Sequence, residues 1–235
     1  MTIKKIIEND KNEVILIIAA HSDDETIAMG GTIAKHVSEG DKVFAISMTD
    51  GVGSREERTK ENIQTRKESA SRASKILGFS WAMNANFPDN SMDSVPLLEV
   101  VKIIEAEKKK INPTIIYTHS TADLNIDHRV VAEATLTAFR PQPNETWKEI
   151  RAFEVPSATD YSHDDVTASF TPNLYICINA FWDKKIHALH EYSQEIREEP
   201  HSRSFLGIKN LANYRGNQVG LMQAEAFQIL RKIER

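Results

Sequence analysis

The sequence predicts an α/β protein with a Rossmann-like three-layer fold, in which helices cover both faces of a mostly parallel central sheet. Three observations favour this class. Short runs rich in valine and isoleucine alternate with longer amphipathic segments over residues 14–139, and a polar cluster follows several of these runs. The 235 residues are enough to bury a large core. We expect a single domain over residues 1–235, without repeats or low-complexity segments.

The individual elements follow from local patterns. The first strand, at 14–20, is an unbroken apolar run of the kind found inside parallel sheets. Alternating strand and helix patterns then predict helix 25–39, strand 42–48, helix 56–77, strand 80–87, helix 94–110, strand 114–118 and helix 128–139. The remaining predictions are strands at 150–155 and 173–179 and helices at 182–191 and 217–233.

The first strand ends abruptly at His21-Ser22-Asp23-Asp24-Glu25. Open α/β folds bind their ligands at this carboxyl edge of the sheet. His21 and Asp24, three residues apart at a strand-to-helix turn, can direct a nitrogen and a carboxylate oxygen at one divalent ion. Asp23 would then lie beside the ion, where it could take a proton from water. The same residues are also typical helix caps, and we expect both roles.

A second polar cluster follows the predicted strand 114–118 and ends in Asp127-His128-Arg129. Helical periodicity begins directly after it, so Asp127 and His128 stand at the start of a helix. His128 can supply a third protein ligand. Three protein ligands with one open position are typical of catalytic zinc sites.

The two motifs together resemble the LmbE-like, or PIG-L, family of zinc-dependent N-deacetylases. The first motif of that family is Ala-His-Pro-Asp-Asp-Glu, and its second motif ends in Asp-His. Met29-Gly30-Gly31-Thr32 and a helix headed by Arg66-Lys67-Glu68 extend the resemblance over most of the chain. The resemblance implies a hydrolase that removes an N-acetyl or related N-acyl group from an amino sugar or an amino-sugar conjugate.

The resemblance also implies a role for each motif residue. His21, Asp24 and His128 would hold the metal, and Asp23 would be the general base. Zn²⁺ is the expected ion, and the same ligand types suit Fe²⁺ and Mn²⁺. Asp127 is expected to orient His21 or His128 through the second ring nitrogen.

Two positions depart from the family pattern. Ser22 replaces proline, which loosens the turn, and Asn125 stands where characterised members often carry a catalytic histidine. Asparagine can polarise a carbonyl or hold substrate, but it cannot deliver a proton. Proton delivery would fall to Asp23, which we favour, or to His119 or His163. His119 could equally be a strand-end histidine bonded to the backbone.

Further polar residues are expected on the same edge of the sheet. Arg55 could pair with a phosphate or carboxylate of the substrate, and Asp89 could accept hydrogen bonds from sugar hydroxyls. Arg203 and Arg215 are predicted to recognise a phosphate, and Glu225 is a further candidate. The alternative is that these residues are ordinary loop and surface residues.

Composition narrows the partners. The chain has 29 Lys and Arg against 34 Asp and Glu, a net charge of -5, which argues against nucleic-acid binding and favours a small-molecule substrate. The only cysteine, Cys177, lies in an apolar run and is predicted to be a buried structural thiol. The sequence shows no export signal and no membrane span, so we expect a cytoplasmic protein. Homo-oligomers are common among similar proteins.

Two other classes of function fit parts of the sequence. Gly30-Gly31 could be the remnant of a dinucleotide-binding turn, but no Gly-x-Gly-x-x-Gly is present, and carboxylates occupy the place of a phosphate loop. The other class is a sugar-binding protein that keeps the metal without catalysis. Asn125 favours that class, and the retention of Asp23 argues against it.

Overall fold

One seven-stranded sheet runs through the computed structural model, which describes residues 12–53, 59–163 and 169–235. Across the sheet the strand order is β3-β2-β1-β4-β5-β7-β6. Strands β1 to β5 pair in parallel, and β7 pairs antiparallel with both β5 and β6. The predicted α/β class with a mostly parallel sheet is confirmed. The strands are β1 Val14–Ala19, β2 Lys42–Thr49, β3 Ser80–Phe87, β4 Ile115–His119, β5 Glu149–Phe153, β6 Leu174–Cys177 and β7 Ala224–Lys232.

Helices cover the sheet on both sides, and β1 shows why its sequence is continuously apolar. Ile15 and Ile17 join the core that holds α1, α2, α5 and α6, whereas Leu16 and Ile18 face the core of α3 and α4. Within the described residues, no helix combines the length and apolar character needed to cross a bilayer. The helices are α1 Asp24–Ser38, α2 Lys60–Leu77, α3 Leu97–Ile111, α4 Ile126–Ala138, α5 Trp182–Glu191 and α6 Phe205–Asn217.

The C-terminal prediction of a helix at 217–233 is wrong, because β7 occupies most of it. β7 lies between β5 and β6, and its first four residues are all buried. Both faces of this part of the strand are therefore covered, and the sequence shows no alternation of apolar and polar residues. The real helix, α6, was missed. It buries only Ile208, Ala212 and Gly216, and Ser204 begins it by accepting a hydrogen bond from Gly207 N. Its two glycines disfavour helix in a sequence-based prediction.

The burial of Cys177 also differs from the prediction of a buried thiol. Cys177 ends β6, which lies at the edge of the sheet, and its side chain is half-buried. An edge strand has a neighbour on one side only, so its side chains are covered less completely than those of a central strand.

Helix α1 is kinked behind the first motif, and a buried ion pair holds the kink. Met29 has non-helical torsion angles (φ -142, ψ 24), so the amides of Gly31 and Thr32 lack carbonyl partners in the preceding turn. Glu225 on β7 accepts both, at 3.0 and 2.6 Å, and its charge is paired with Lys185 Nζ at 2.7 Å. The carboxylate of Glu225 is therefore buried in a structural role, and its predicted contact with substrate stays a prediction.

Replacing Lys185 with methionine should lower the free energy of unfolding by about 3–5 kcal/mol, because Glu225 would keep a buried charge without its cation. Urea unfolding measures the change. The double variant Lys185→Met with Glu225→Gln removes both charges and should recover part of the loss, because glutamine keeps one oxygen for one of the two amides. A single-variant loss below about 1 kcal/mol would contradict the role of the pair.

Candidate metal centre and active site

The loop between β1 and α1 turns its carboxylates towards the sheet edge. Asp23 is the N-cap of α1 by position, but its side chain makes no capping hydrogen bond. Asp24 instead accepts the amide of His21 at 2.9 Å, which closes the turn. The predicted side-chain capping by Asp23 is therefore wrong. Asp23, Asp24 and Glu25 are all buried here, an arrangement that disfavours a pyrophosphate and hence a dinucleotide cofactor.

His21, Asp24 and His128 bring three ligand atoms to one point. Nδ1 of His21 lies 3.2 Å from Oδ2 of Asp24, and Nε2 of His128 lies 3.3 and 3.4 Å from those two atoms. Ligands placed about 2.0–2.1 Å from a tetrahedral zinc ion stand about 3.3–3.4 Å apart. The triangle therefore fits a divalent ion. All three side chains are almost fully buried, so water competes little for them.

The second nitrogen of each histidine faces carboxylates, as is usual for histidines that bind metals. His21 Nε2 lies 3.0 Å from Asp89 Oδ1 and 3.2 Å from Asp127 Oδ2, and His128 Nδ1 lies 3.1 Å from Asp123 Oδ2. Asp89 thus contacts a candidate ligand, and its predicted contact with sugar hydroxyls stays a prediction. Sequence reasoning missed Asp123, although a carboxylate five residues before His128 was a usable signal.

The electrostatics of the centre favour a cation. Burial lowers the pKa of His128, but Asp24 and Asp123 outweigh it and raise that pKa to about 9. Burial likewise opposes a charge on Asp24, yet His128, His21 and His119 hold its pKa well below the usual range. The carboxylates therefore stabilise positive charge at the ring nitrogens, and the same field attracts a divalent ion.

Asp23 lies beside this triangle and has two different oxygens. Oδ2 is 3.2 Å from Arg66 Nη1 and 3.8 Å from Arg203 Nη1. Oδ1 makes no hydrogen bond to any part of the chain that the structure describes. Arg66 is buried and also pairs with Glu195, so it bridges two carboxylates; the sequence indicated Arg66 only as the head of a helix. Asp23 is thus anchored through one oxygen and keeps the other available.

A cavity of about 210 Å³ opens over the centre. It brings together most of the predicted site residues and Asn90, which follows the predicted third strand beside Asp89, and it adds Arg66, Glu195 and Arg197, which sequence reasoning did not place there. The predicted residues on its wall are His21, Asp23, Asp89, Asn125, His128 and Arg203.

Two of the predicted arginines, Arg55 and Arg215, are not among the residues described on the cavity wall. Arg215 is not on the cavity wall, because Nε and Nη2 form a bidentate pair with Glu154, both at 2.7 Å. The predicted role of Arg215 in substrate binding stays a prediction. Arg55 lies outside the described residues.

Asn125 has a local structural role at the start of α4. Its Oδ1 accepts the amide of Asp127 at 2.9 Å, and its Nδ2 donates to Asn90 Oδ1 at 3.2 Å. Because a backbone amide can only donate, the first bond fixes which way the carboxamide points. The second bond uses Oδ1 of Asn90 as its acceptor and so orients that carboxamide as well. The Nδ2 of Asn90 is left for other partners at the cavity wall.

The two histidines considered as alternative proton donors do not line the cavity. His163 is exposed. His119 is fully buried, and its Nε2 accepts the amide of Ala20 at 2.9 Å. Burial and the neighbouring His128 lower the pKa of His119 to about 4, so the ring is neutral. Neither residue is placed to protonate a leaving group.

This sheet, with three ligand atoms converging at its carboxyl edge, defines an α/β protein with a candidate metal centre. The PIG-L family, described as GlcNAc-PI de-N-acetylase, matches residues 16–139, more than half of the chain, and the chain belongs to that family. The uncharacterised deacetylase YaiS of Escherichia coli K12 is 29% identical over 153 residues, which cover 63% of this chain and 77% of YaiS.

Two solved structures show how widely this fold is used. The N,N'-diacetylchitobiose deacetylase of Pyrococcus horikoshii matches with a TM-score of 0.72 at 21% identity, over 93% of this chain and 84% of its own. GalB, the 4-carboxy-2-hydroxymuconate hydratase of Pseudomonas putida KT2440, matches with a TM-score of 0.73 at 20% identity, over 95% and 99%. These similarities establish the fold, whereas the reaction depends on the residues at the site.

Asp123→Asn should weaken Zn²⁺ binding about 10–100-fold, because His128 would lose the carboxylate that orients its ring and raises its basicity. Competition with a chromophoric chelator measures the affinity. Asp183→Asn, an exposed change on α5, is the matched control and should bind Zn²⁺ like the wild type. Equal affinities for the two variants would contradict the role of Asp123.

Proposed function

We propose that this protein is a metal-dependent hydrolase that removes an N-acetyl or related N-acyl group from an amino sugar or amino-sugar conjugate. The observation that carries the proposal is the triangle of His21, Asp24 and His128 with the anchored carboxylate of Asp23 beside it, under an open cavity. Family membership supports N-deacetylation as the reaction. A substrate group above the triangle would lie within reach of Asp23.

His21, Asp24 and His128 would hold the metal. Two imidazole nitrogens and one carboxylate oxygen suit Zn²⁺, with Fe²⁺ and Mn²⁺ as alternatives. When bound, such an ion polarises an amide carbonyl and lowers the pKa of a water molecule. Asp89, Asp127 and Asp123 would keep the two ligand rings oriented, as outer carboxylates commonly do.

Asp23 is the residue that moves the proton. Its Oδ2 is held by Arg66, whereas Oδ1 makes no hydrogen bond within the described chain, so Oδ1 is the oxygen that takes a proton from the attacking water. The only histidines on the cavity wall, as far as the structure describes it, are the two candidate ligands. Asp23 therefore also returns the proton to the departing amine nitrogen. The acyl C–N bond breaks, the water oxygen remains on the acid, and the nitrogen leaves as the neutral amine with the proton that Asp23 returns to it. The acid then loses its remaining proton to solvent and becomes the carboxylate.

Asn90 and Asn125 would stabilise the carbonyl oxygen as negative charge develops on it. Asn125 fixes Asn90 through its Nδ2, which leaves the Nδ2 of Asn90 as an oriented donor at the cavity wall. A fixed donor is worth more than a mobile one, since no reorganisation is needed during the reaction. In this arrangement Asn125, which stands in place of the usual histidine, helps to polarise the substrate carbonyl, and Asp23 transfers the proton.

The substrate is expected to be small at its reacting end. The cavity of about 210 Å³ admits a small group above the three candidate ligands. The rest of a conjugate would extend past Arg197 and Arg203 at the wall. The predicted cytoplasmic location and homo-oligomeric state stay predictions.

Asp23→Asn should keep the metal and lose activity by about 10²–10⁴-fold, because an amide cannot take the proton from water. Acetate release is measured over a panel of N-acetylated amino sugars and sugar conjugates, beside metal analysis of each preparation. Wild-type turnover should stop on chelation and return with Zn²⁺. An Asp23→Asn protein that retains its metal and full activity would overturn the mechanism. A wild type that binds metal and sugar without releasing acetate would favour the binding protein.

Asn125→Asp should lower kcat about tenfold while leaving KM nearly unchanged, because a carboxylate still caps α4 but cannot donate to Asn90. Asn90 would then turn its own Nδ2 towards the introduced carboxylate and away from the cavity. Asn125→Ser keeps the cap and removes the carboxamide donor without adding a charge, so it serves as the matched control. We expect both variants to lose kcat with unchanged thermal unfolding. Full activity in both would show that the asparagine pair does not act on the substrate.

A further inference from the structure

His119, the last residue of β4, lies behind the candidate metal centre and not in the cavity. Its side chain is fully buried. The reaction argued above does not use it, and its pairing with a backbone amide resembles an ordinary strand-end contact. Its other contacts are with the residues that would hold the ion, and these contacts suggest a more specific role.

The first contact is with the loop that carries His21. The Nε2 of His119 accepts the amide of Ala20, the residue directly before His21, at 2.9 Å. A nitrogen that accepts a hydrogen bond from a backbone amide is not protonated, so the proton of this neutral ring is on Nδ1. The same Nε2 lies 3.4 Å from Oδ2 of Asp24, the oxygen that faces the candidate metal position. Nε2 therefore holds the residue before His21 by a hydrogen bond and lies beside Asp24, to which it donates none because it carries no proton.

The second contact is with His128. The rings of His119 and His128 are stacked, with their centroids 3.9 Å apart and their planes 23° apart. The ring of Phe153 meets His119 edge-on at 4.6 Å and keeps it in place. A stack limits how far the His128 ring can tilt, and Asp123 limits how far it can rotate. The lone pair of His128 Nε2 is thereby directed at His21 and Asp24.

We propose that His119 is a positioning residue that sets the geometry of the metal ligands, since it fixes the turn of His21 and Asp24 through Ala20 and the plane of His128 through stacking. The ligand concerned is a divalent cation of the zinc type. The proposal rests on the metal centre of the proposed function but not on its reaction, so it can be tested by metal binding alone.

Two variants separate the two contacts. His119→Phe keeps an aromatic ring against His128 but offers no acceptor to Ala20, and His119→Gln offers an amide oxygen to Ala20 but has no ring to stack. Each should weaken Zn²⁺ binding about 10–100-fold, the range seen when outer partners of metal ligands are changed. The Co²⁺-loaded variants should also show visible absorption bands shifted from those of the wild type.

The matched control is His190→Gln. His190 lies in the last turn of α5, where its ring contacts Phe205, and it belongs to no candidate metal cluster among the described residues. It should leave both the Zn²⁺ affinity and the Co²⁺ spectrum unchanged. Thermal unfolding of each metal-free variant shows whether it is folded, and if one fails to fold the other carries the test.

A measurement on the wild type needs no variant. Nitrogen-15 chemical shifts of the His119 ring should report a neutral imidazole protonated on Nδ1, both before and after Zn²⁺ is added. A proton on Nε2, or variants with wild-type affinity and spectrum, would overturn the proposal. If the wild type binds Zn²⁺ but releases no acetate, the reaction fails and this inference stands. If the wild type binds no divalent ion, both fail.

Discussion

The parallel pairing of β1 with β4 is the contact on which the site depends. Residues near 20 and near 120 are distant in sequence, but β1 and β4 are neighbours in the sheet and end at the same edge. The loop after β1 and the start of α4 therefore meet, and His21 and Asp24 come within hydrogen-bonding distance of His128. A shift of this register would separate the ligand atoms, so the backbone ladder of the sheet also sets the spacing of the metal centre.

Burial of charge is the second constraint. Asp23, Asp24, Asp123 and Asp127 are almost fully buried, which is costly unless each carboxylate has partners. Histidine rings, backbone amides and the guanidinium of Arg66 supply these partners. Positive charge close to these carboxylates stabilises them, and a bound divalent ion would add to that charge. The contacts that stabilise the buried carboxylates are therefore also the contacts that would hold the ion ligands in place.

Asn125 shows how one side chain can serve both folding and function. Its Oδ1 begins α4, which carries His128, while its Nδ2 orients Asn90 at the cavity wall. Under the proposed mechanism, Asn125 helps to stabilise the carbonyl oxygen and Asp23 transfers the proton, so the departure from the family pattern leaves neither task without a residue.

The sequence alone determined the α/β class, most elements from β1 to β5, and the residues that would hold a metal, because these depend on local apolar patterns and on two specific motifs. Only the tertiary structure decided the rest. Whether 224–232 is a strand depended on burial between β5 and β6, and the position of the Arg215 side chain depended on Glu154. Neither partner is adjacent in sequence. Long-range pairing of this kind leaves no periodic signal, so the roles of Asp123, Arg66 and His119 became visible only when the strand ends were brought together.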